Sequence, residues 1–317
     1  EAASGVSTGI SAQDRARTVA VAIDPSSGPA DIISPGHVFP LKARKGGVLQ
    51  RQGQTEGSVD LASLAGLTPA AVICEIINED GTMSRREQLK EFSEQHGIPM
   101  VTIKDLVHWR IQHEELVEVA ASSRVPLEGY GNFSMSVFSN TLDTAEHFIL
   151  SKPPVVSNKV PLVRIHSECI TGDIFGSCKC DCGEQLKESL QRISEEGGVL
   201  IYLRQEGRGI GLVNKVRAYA LQEQGYDTVE ANEKLGLPAD GRDYAVAYQI
   251  LRFLGIRSLR LLTNNPQKIA VLESYGLNIT ERIELTVKVN AENHNYLWTK
   301  KNKMGHFLSM EESVDEV

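Results

Sequence analysis

Val199-Leu-Ile-Tyr-Leu-Arg-Gln-Glu-Gly-Arg-Gly-Ile-Gly-Leu212 opens with five apolar residues, passes through a glycine-rich loop and enters a helix-forming stretch. The apolar run reads as a short buried strand, and the helix is expected to reach about Gln224, where Gly225 stops it. Upstream, Leu186, Leu190 and Ile193 fall on one stripe of a helix that ends at Gly197-Gly198. Downstream, Tyr244 to Leu254 reads as a helix and Ser258 to Leu262 as a strand. Asn265-Pro266 has the form of an N-cap followed by a first-turn proline. Strands and helices that alternate in this way predict an α/β or α+β fold with mixed sheets covered by helices.

The segment before this block is organised differently. Ala70 to Ile77 is an apolar run that reads as a buried strand, and Arg85 to His96 is a polar helix stopping at Gly97. Between Trp109 and Pro126 the chain is polar with scattered apolar residues, and Ile111 to Ala120 reads as a linking helix. The 317 residues suit two domains. Their expected limits are 1–116 and 117–308, with an acidic surface tail over 309–317 that is expected to be disordered.

Composition narrows the function. A net charge of −8 argues against bulk nucleic-acid binding but leaves room for a nucleotide held by a local basic cluster. No apolar run approaches the roughly 20 residues of a membrane span, and Glu1 to Ile10 lack a secretory pattern. Four of the five cysteines crowd between Cys169 and Cys182, which suits a metal site better than a disulfide framework.

The cysteine segment runs Arg164-Ile-His-Ser-Glu-Cys169 and then Ser177-Cys-Lys-Cys-Asp-Cys-Gly183. Cys180 and Cys182 can face one ion from a tight turn, with Cys169 returning as a third thiolate. Three thiolates leave tetrahedral zinc one open position, where bound water is activated for hydrolysis. Spacing alone also admits a closed structural zinc with Cys178 as fourth ligand, or buried thiols with no metal. His166 is read as a hydrogen-bonding residue rather than a ligand. The glycine-rich loop, placed between strand and helix, offers backbone N–H groups and the Arg208 fork to phosphate. It departs from the G-x-G-x-x-G dinucleotide pattern.

These residues, with Cys180-Asp-Cys-Gly183, Glu206-Gly-Arg208, Asp227-Thr-Val-Glu-Ala-Asn232, Leu262-Thr-Asn-Asn-Pro266 and Tyr296-Leu-x-Thr-Lys-x-x-x-Met-Gly-His306, resemble GTP cyclohydrolase II over roughly Pro126 to Leu308. The resemblance implies that Cys169, Cys180 and Cys182 bind zinc and that Cys178 is a bystander. It implies GTP contacts from Arg164, Ile165, His166, Ser167, Glu168, Gln185, Glu206, Gly207, Arg208, Thr228, Thr263 and Lys268. It places Tyr219 near the reacting ring, makes Asp240 a proton acceptor and Arg242 either a nucleophile or a charge stabiliser. The implied reaction turns GTP into 2,5-diamino-6-(5-phosphoribosylamino)pyrimidin-4(3H)-one, formate and pyrophosphate, the first step of riboflavin synthesis, with Mg2+ on the phosphates. A homodimer is implied, with no nucleic-acid or membrane partner, in the cytoplasm of a bacterium or a plant plastid.

In the first block, Thr8-Gly-Ile-Ser-Ala-x-Asp-Arg15, Pro35-Gly-His-Val-Phe-Pro-Leu41, Gly46-Gly-Val-Leu49, Cys74-Glu75 and Asp80-Gly-Thr-Met83 resemble the C-terminal half of 3,4-dihydroxy-2-butanone 4-phosphate synthase. The resemblance places an acidic metal-binding loop in the half that comes before these motifs, and on that expectation His37 would be left without its partner at the metal. Ser34 stands where that family has a phosphate-binding arginine, and Gln54 where it has a histidine. The expectation is a partial, degenerate block without synthase activity. Two other readings compete with the enzyme: a catalytically silent scaffold or regulatory partner, and a zinc-containing nucleic-acid binder. GTP binding without turnover marks the first, and a salt-sensitive oligonucleotide shift the second.

Overall fold

A computed structural model describes residues 1–154, 160–286 and 288–308. The chain divides into two compact units, the first Glu1–Arg110 and the second beginning at Ile111. The expected acidic tail, 309–317, lies outside the described residues.

The first unit carries helices α1 (Ala12–Ile23), α2 (Gln54–Leu64) and α3 (Arg86–His96), and α4 (Ile103–His113) runs across the division. Each start or stop follows from local chemistry. The Ser11 side chain accepts from Asp14 N at 3.1 Å to open α1, and Gly97, at φ 63°, closes α3 in the left-handed region that glycine takes without strain. Buried Asp14 accepts three bonds, from Ser7 N, Ser7 Oγ and Gly9 N, which fix the turn before α1. The expected buried strand over Ala70 to Ile77 does not form. Val72 is 74% exposed, and the segment's one bridge joins Ile77 to Met83. An apolar run becomes a strand only where neighbours complete its ladder, and here pairing stops at the bridge from Ile77 to Met83 among the described residues.

The second unit is built on a seven-stranded sheet in the order β1-β2-β3-β5-β4-β6-β7. Its strands are β1 (Val117–Leu127), β2 (Gly131–Asn140), β3 (His147–Lys152), β4 (Leu162–Ser167), β5 (Gly198–Leu203), β6 (Ser258–Leu262) and β7 (Asn278–Ile283). β1, β2, β3 and β5 pair antiparallel, whereas β5, β4, β6 and β7 run parallel, so β5 joins two halves of one mixed sheet. The expected linking helix over Ile111 to Ala120 is corrected: α4 ends at His113 and β1 starts at Val117. Val117 and Val119 alternate with polar residues, and this period-two pattern pairs with β2 once the sheet is there to receive it.

Helices α5 (Ile170–Asp173), α6 (Cys182–Glu196), α7 (Gly211–Gln222), α8 (Thr228–Lys234), α9 (Ala245–Phe253), α10 (Pro266–Ser274) and α11 (His294–Asn302) complete the unit. Ile193 of α6 packs with Phe133, Leu162, Leu200, Leu262 and Leu285 in a fully buried cluster. β5 is apolar and buried along its length because both of its faces are covered. The Asn265 side chain accepts from Gln267 N at 2.9 Å, so the cap expected at α10 is present.

Candidate active site

β4, β5 and β6 are parallel neighbours, so their carboxyl ends open on one side, where ligands bind in open α/β sheets. Leaving those ends, the chain runs through Ser167-Glu168-Cys169, Arg204-Gln205-Glu206 and Thr263-Asn264-Asn265. Together they border one cleft.

At one end of the cleft, the sulfurs of Cys169, Cys180 and Cys182 lie within 4.8 Å of one another, with Cys169 Sγ and Cys180 Sγ 3.7 Å apart. Tetrahedral zinc with bonds of ~2.3 Å places its sulfurs ~3.8 Å apart, so the spacing fits this ion. Gly172 keeps the space open: a Cβ there would stand 2.8 Å from Cys180 Sγ and 3.2 Å from Cys169 Sγ. Cys178 is exposed and outside the group. Hydrogen bonds from Cys180 and Cys182, with the Lys215 ammonium, hold the Cys169 thiol far below its usual range. That charge pushes Cys180 up to about 11 and Cys182 well above the usual thiol range, each chiefly through its hydrogen bond to Cys169. One sulfur ionises easily and the next two repel it, so a cation is needed before all three can be thiolates.

The Cys169 turn is held from behind. Asp173 accepts from Cys169 N at 3.0 Å and from Tyr202 Oη at 2.8 Å, and its carboxylate meets His166 Nε2 at 3.0 Å. Burial lowers the pKa of His166. Its ring is a hydrogen-bonding partner of Asp173 and lies outside the cysteine group.

The rest of the cleft is cationic. Arg164, Arg208, Lys215, Arg242, Lys268 and Lys300 line it, against the carboxylates of Glu168 and Glu206. In an acidic chain this is a local reversal of charge suited to phosphate. Arg164 donates to Gln185 Oε1 at 2.7 Å and to Leu262 O at 3.0 Å, and burial lowers it to about 10. Lys268 donates to Ile165 O at 2.7 Å, and burial, followed by the neighbouring guanidinium charges, lowers its pKa strongly. Arg208 stands at φ 61°, a left-handed backbone that costs a non-glycine residue about 1 kcal/mol or more and concentrates at functional sites. Gly209 beside it passes so close to Gly241 that a Cβ would meet the Gly241 carbonyl oxygen at 2.7 Å. Ser167 Oγ, Arg208 Nη2 and Asn265 Nδ2 are buried on this cleft without a protein partner, the state of polar groups awaiting a ligand.

Glu168 accepts from Arg204 Nε at 3.1 Å, Thr263 Oγ1 accepts from Asn265 N at 3.0 Å, and Thr228 lines the cleft from the first turn of α8. Tyr219 faces the cysteines from α7, its hydroxyl 3.4 Å from Thr171 Oγ1. Two expected residues stand apart. Ile165 is wholly buried and its side chain does not line the cleft, because alternation along β4 turns Arg164 and His166 toward it and Ile165 away. Asp240 stands behind Arg242, accepting from Arg242 Nε at 2.8 Å. The sequence reading missed Lys215, Lys300, Asn265, Tyr296 and His306. Tyr296 in particular is half-buried against the cleft. Tyr296, Lys300 and His306 belong to the last motif of the resemblance, while Lys215 sits on a helix with no distinguishing spacing.

Residues 118–284 match the family GTP cyclohydrolase II, and residues 1–109 match the family 3,4-dihydroxy-2-butanone 4-phosphate synthase. The chain belongs to the GTP cyclohydrolase II family, and it is an enzyme of the hydrolase class. Its relatives include a riboflavin biosynthesis protein RibBA of Bacillus cereus, 56% identical over 96% of this chain and 76% of that protein. The RibBA of Bacillus cytotoxicus is 55% identical over the same shares. Among solved structures, RibBX of A. baumannii, described as a two domain 3,4-dihydroxy-2-butanone 4-phosphate synthase, aligns with a TM-score of 0.61 at 34% identity. That alignment covers 90% of this chain and 75% of RibBX. Among the described residues no helix is long and apolar enough to cross a membrane.

Proposed function

We propose that the second unit hydrolyses GTP to a diaminopyrimidine nucleotide, formate and pyrophosphate, as an enzyme of riboflavin synthesis. One observation carries this reading: a three-cysteine group suited to zinc opens onto a cleft lined by six arginine and lysine side chains. Cys169, Cys180 and Cys182 would hold the zinc, which supplies Lewis acidity and an activated water for opening the imidazole ring. Mg2+ would accompany the phosphates.

The chain's own residues do the positioning. Arg208, Arg242, Lys268 and Lys300 gather the triphosphate charge, while Arg164 and Gln185, already bonded to each other, present a fixed polar edge. The expected contacts Ser167, Glu168, Glu206, Gly207, Thr228 and Thr263 lie around the same space, and Ile165 contributes through its backbone alone. Tyr219, with its pKa raised by burial, remains a neutral donor facing the reacting ring.

Arg242 acts by charge stabilisation rather than as a nucleophile. Its burial opposes the charge, yet Tyr244 and Asp240 keep its pKa above the ordinary value, and a protonated guanidinium has no lone pair to give. Burial tends to raise Asp240, but Arg242 outweighs it and holds the carboxyl below its usual range. Asp240 is therefore an ionised residue that aims Arg242 and can accept a proton as charge shifts.

The first unit is read as contributing no synthase turnover. By the resemblance, Ser34 and Gln54 stand where that family has an arginine and a histidine, although the match over residues 1–109 favours a second activity. A homodimer and a cytoplasmic site are carried from the family and the bacterial relatives. The test is mass spectrometry of products from GTP and, separately, from ribulose 5-phosphate. The diaminopyrimidine from the first and no butanone phosphate from the second agrees with the proposal. Binding of GTP with no product supports a silent scaffold instead.

A further inference from the structure

Lys215, on α7, is buried to 8% exposure, and its Nζ stands 3.0 Å from Cys169 Sγ and 2.8 Å from Glu206 Oε1. An ammonium buried this deeply is costly unless its donors are taken up, and here one goes to a carboxylate and one to a sulfur. Glu206 is fixed in turn: Oε2 accepts from Ile170 N at 2.7 Å, and Oε1 also accepts from Gly207 N at 2.7 Å. The Glu206 carboxylate thus spends its acceptors on the protein, tying the glycine-rich loop to the residue next to Cys169.

We infer that Lys215, held by Glu206, is a positioning residue that hydrogen-bonds the Cys169 thiolate from outside the metal's ligand set and tunes the cysteine site. This inference rests on the reading that the three cysteines hold a metal. Three thiolates around a dication leave an excess negative charge in a buried place, and an ammonium 3.0 Å from one sulfur offsets it. The same hydrogen bond orients Cys169 and draws electron density from its sulfur, leaving the bound cation a stronger Lewis acid. Partners that orient ligands in this way are worth about 10–100-fold in metal affinity or activity. Glu206 then also serves the reaction by holding Lys215.

The alternative is a buried ion pair that only stabilises the fold, and metal-centred measurements separate the two. Lys215→Met and Lys215→Arg are compared with the full-length wild type for zinc retention against a chromophoric chelator. The same three chains are loaded with cobalt to read the thiolate-to-metal charge-transfer band. The inference expects Lys215→Met to lose zinc about 10–100-fold more readily and to shift the cobalt band. It expects Lys215→Arg to recover part of both, and turnover to fall in kcat more than in KM. A folded Lys215→Met with wild-type zinc retention and an unmoved band overturns it. If Lys215→Met does not fold, Glu206→Gln, which loosens the lysine without removing it, must show the same shifts, and unchanged values there overturn the inference. A folded wild type that takes up no metal removes the cysteine-site reading itself, and this inference with it.

Discussion

Lys300 Nζ donates to Asp181 Oδ1 at 2.7 Å, joining α11 to the turn that carries Cys180 and Cys182. Asp181 is wholly buried, and its other oxygen accepts from Gln185 Nε2 at 2.7 Å. Arg164, bonded to Gln185, thereby reaches Lys300 through two intervening side chains. Removing the ammonium strands a buried carboxylate, which costs about 3–5 kcal/mol. Lys300→Met should lower the urea midpoint accordingly, and adding Asp181→Asn should return part of the loss. Strictly additive losses in the double variant would show that the pair is not coupled.

Gly172 tests the cysteine cradle sterically. A Cβ there meets two of the three sulfurs and stands 3.1 Å from the Cys182 Cβ, while Gly172 itself is not at positive φ, so the backbone tolerates alanine. Gly172→Ala should fold, as read by circular dichroism, yet carry less than half the zinc of the wild type by elemental analysis. Full zinc occupancy would mean that the turn relaxes around the methyl group.

His306 gives a pH signature. Burial, then the charges of Lys300, Arg242, Arg208 and Lys268, push it down from 6.5 to about 2. The folded ring stays neutral while the unfolded one protonates, so below pH 6.5 the unfolded state binds more protons and stability falls with falling pH. The slope is at most about 1.4 kcal/mol per pH unit for one group. His166, lowered by its own burial, works in the same direction. His306→Asn should therefore lose less stability than the wild type between pH 6.5 and 5. Parallel curves for the two chains would place the titration elsewhere.

Arg242 is aimed into the cleft by Asp240 through two hydrogen bonds. If it stabilises developing phosphate charge, Arg242→Ala should lower kcat by about 10²–10³-fold. Arg242→Lys, with its charge kept but its fork lost, should fall between the two. Near-normal turnover in the alanine variant would exclude both the nucleophile and the stabiliser.

The sequence was most readable where chemistry is local. The β5 run, the Gly97 and Gly197 helix stops and the Asn265 cap are each decided within a few residues, and all stand in the structure. Spacing pointed to a cysteine site but left Cys178 in play, and it was the resemblance that named Cys169, Cys180 and Cys182, the three whose sulfurs meet. Ala70 to Ile77 failed because apolarity signals burial only if a partner surface is present. The Ile165 side chain points away from the cleft: a motif names consecutive residues, while a strand turns alternate ones to opposite faces. Lys215 was invisible, and Lys300 stood in a quoted motif without an assigned role, because a helical lysine reads as solvated until the fold brings a thiol or carboxylate from far along the chain.

The central claim is that the Cys169, Cys180 and Cys182 group and the cationic cleft act together on GTP. It is tested most directly by formate release from GTP and Mg2+, comparing the zinc-loaded wild type with Cys180→Ser. The account predicts formate and pyrophosphate in equal amounts from the wild type and none above background from the variant. Equal formate release by the two chains, or none from a folded, zinc-loaded wild type, would contradict it.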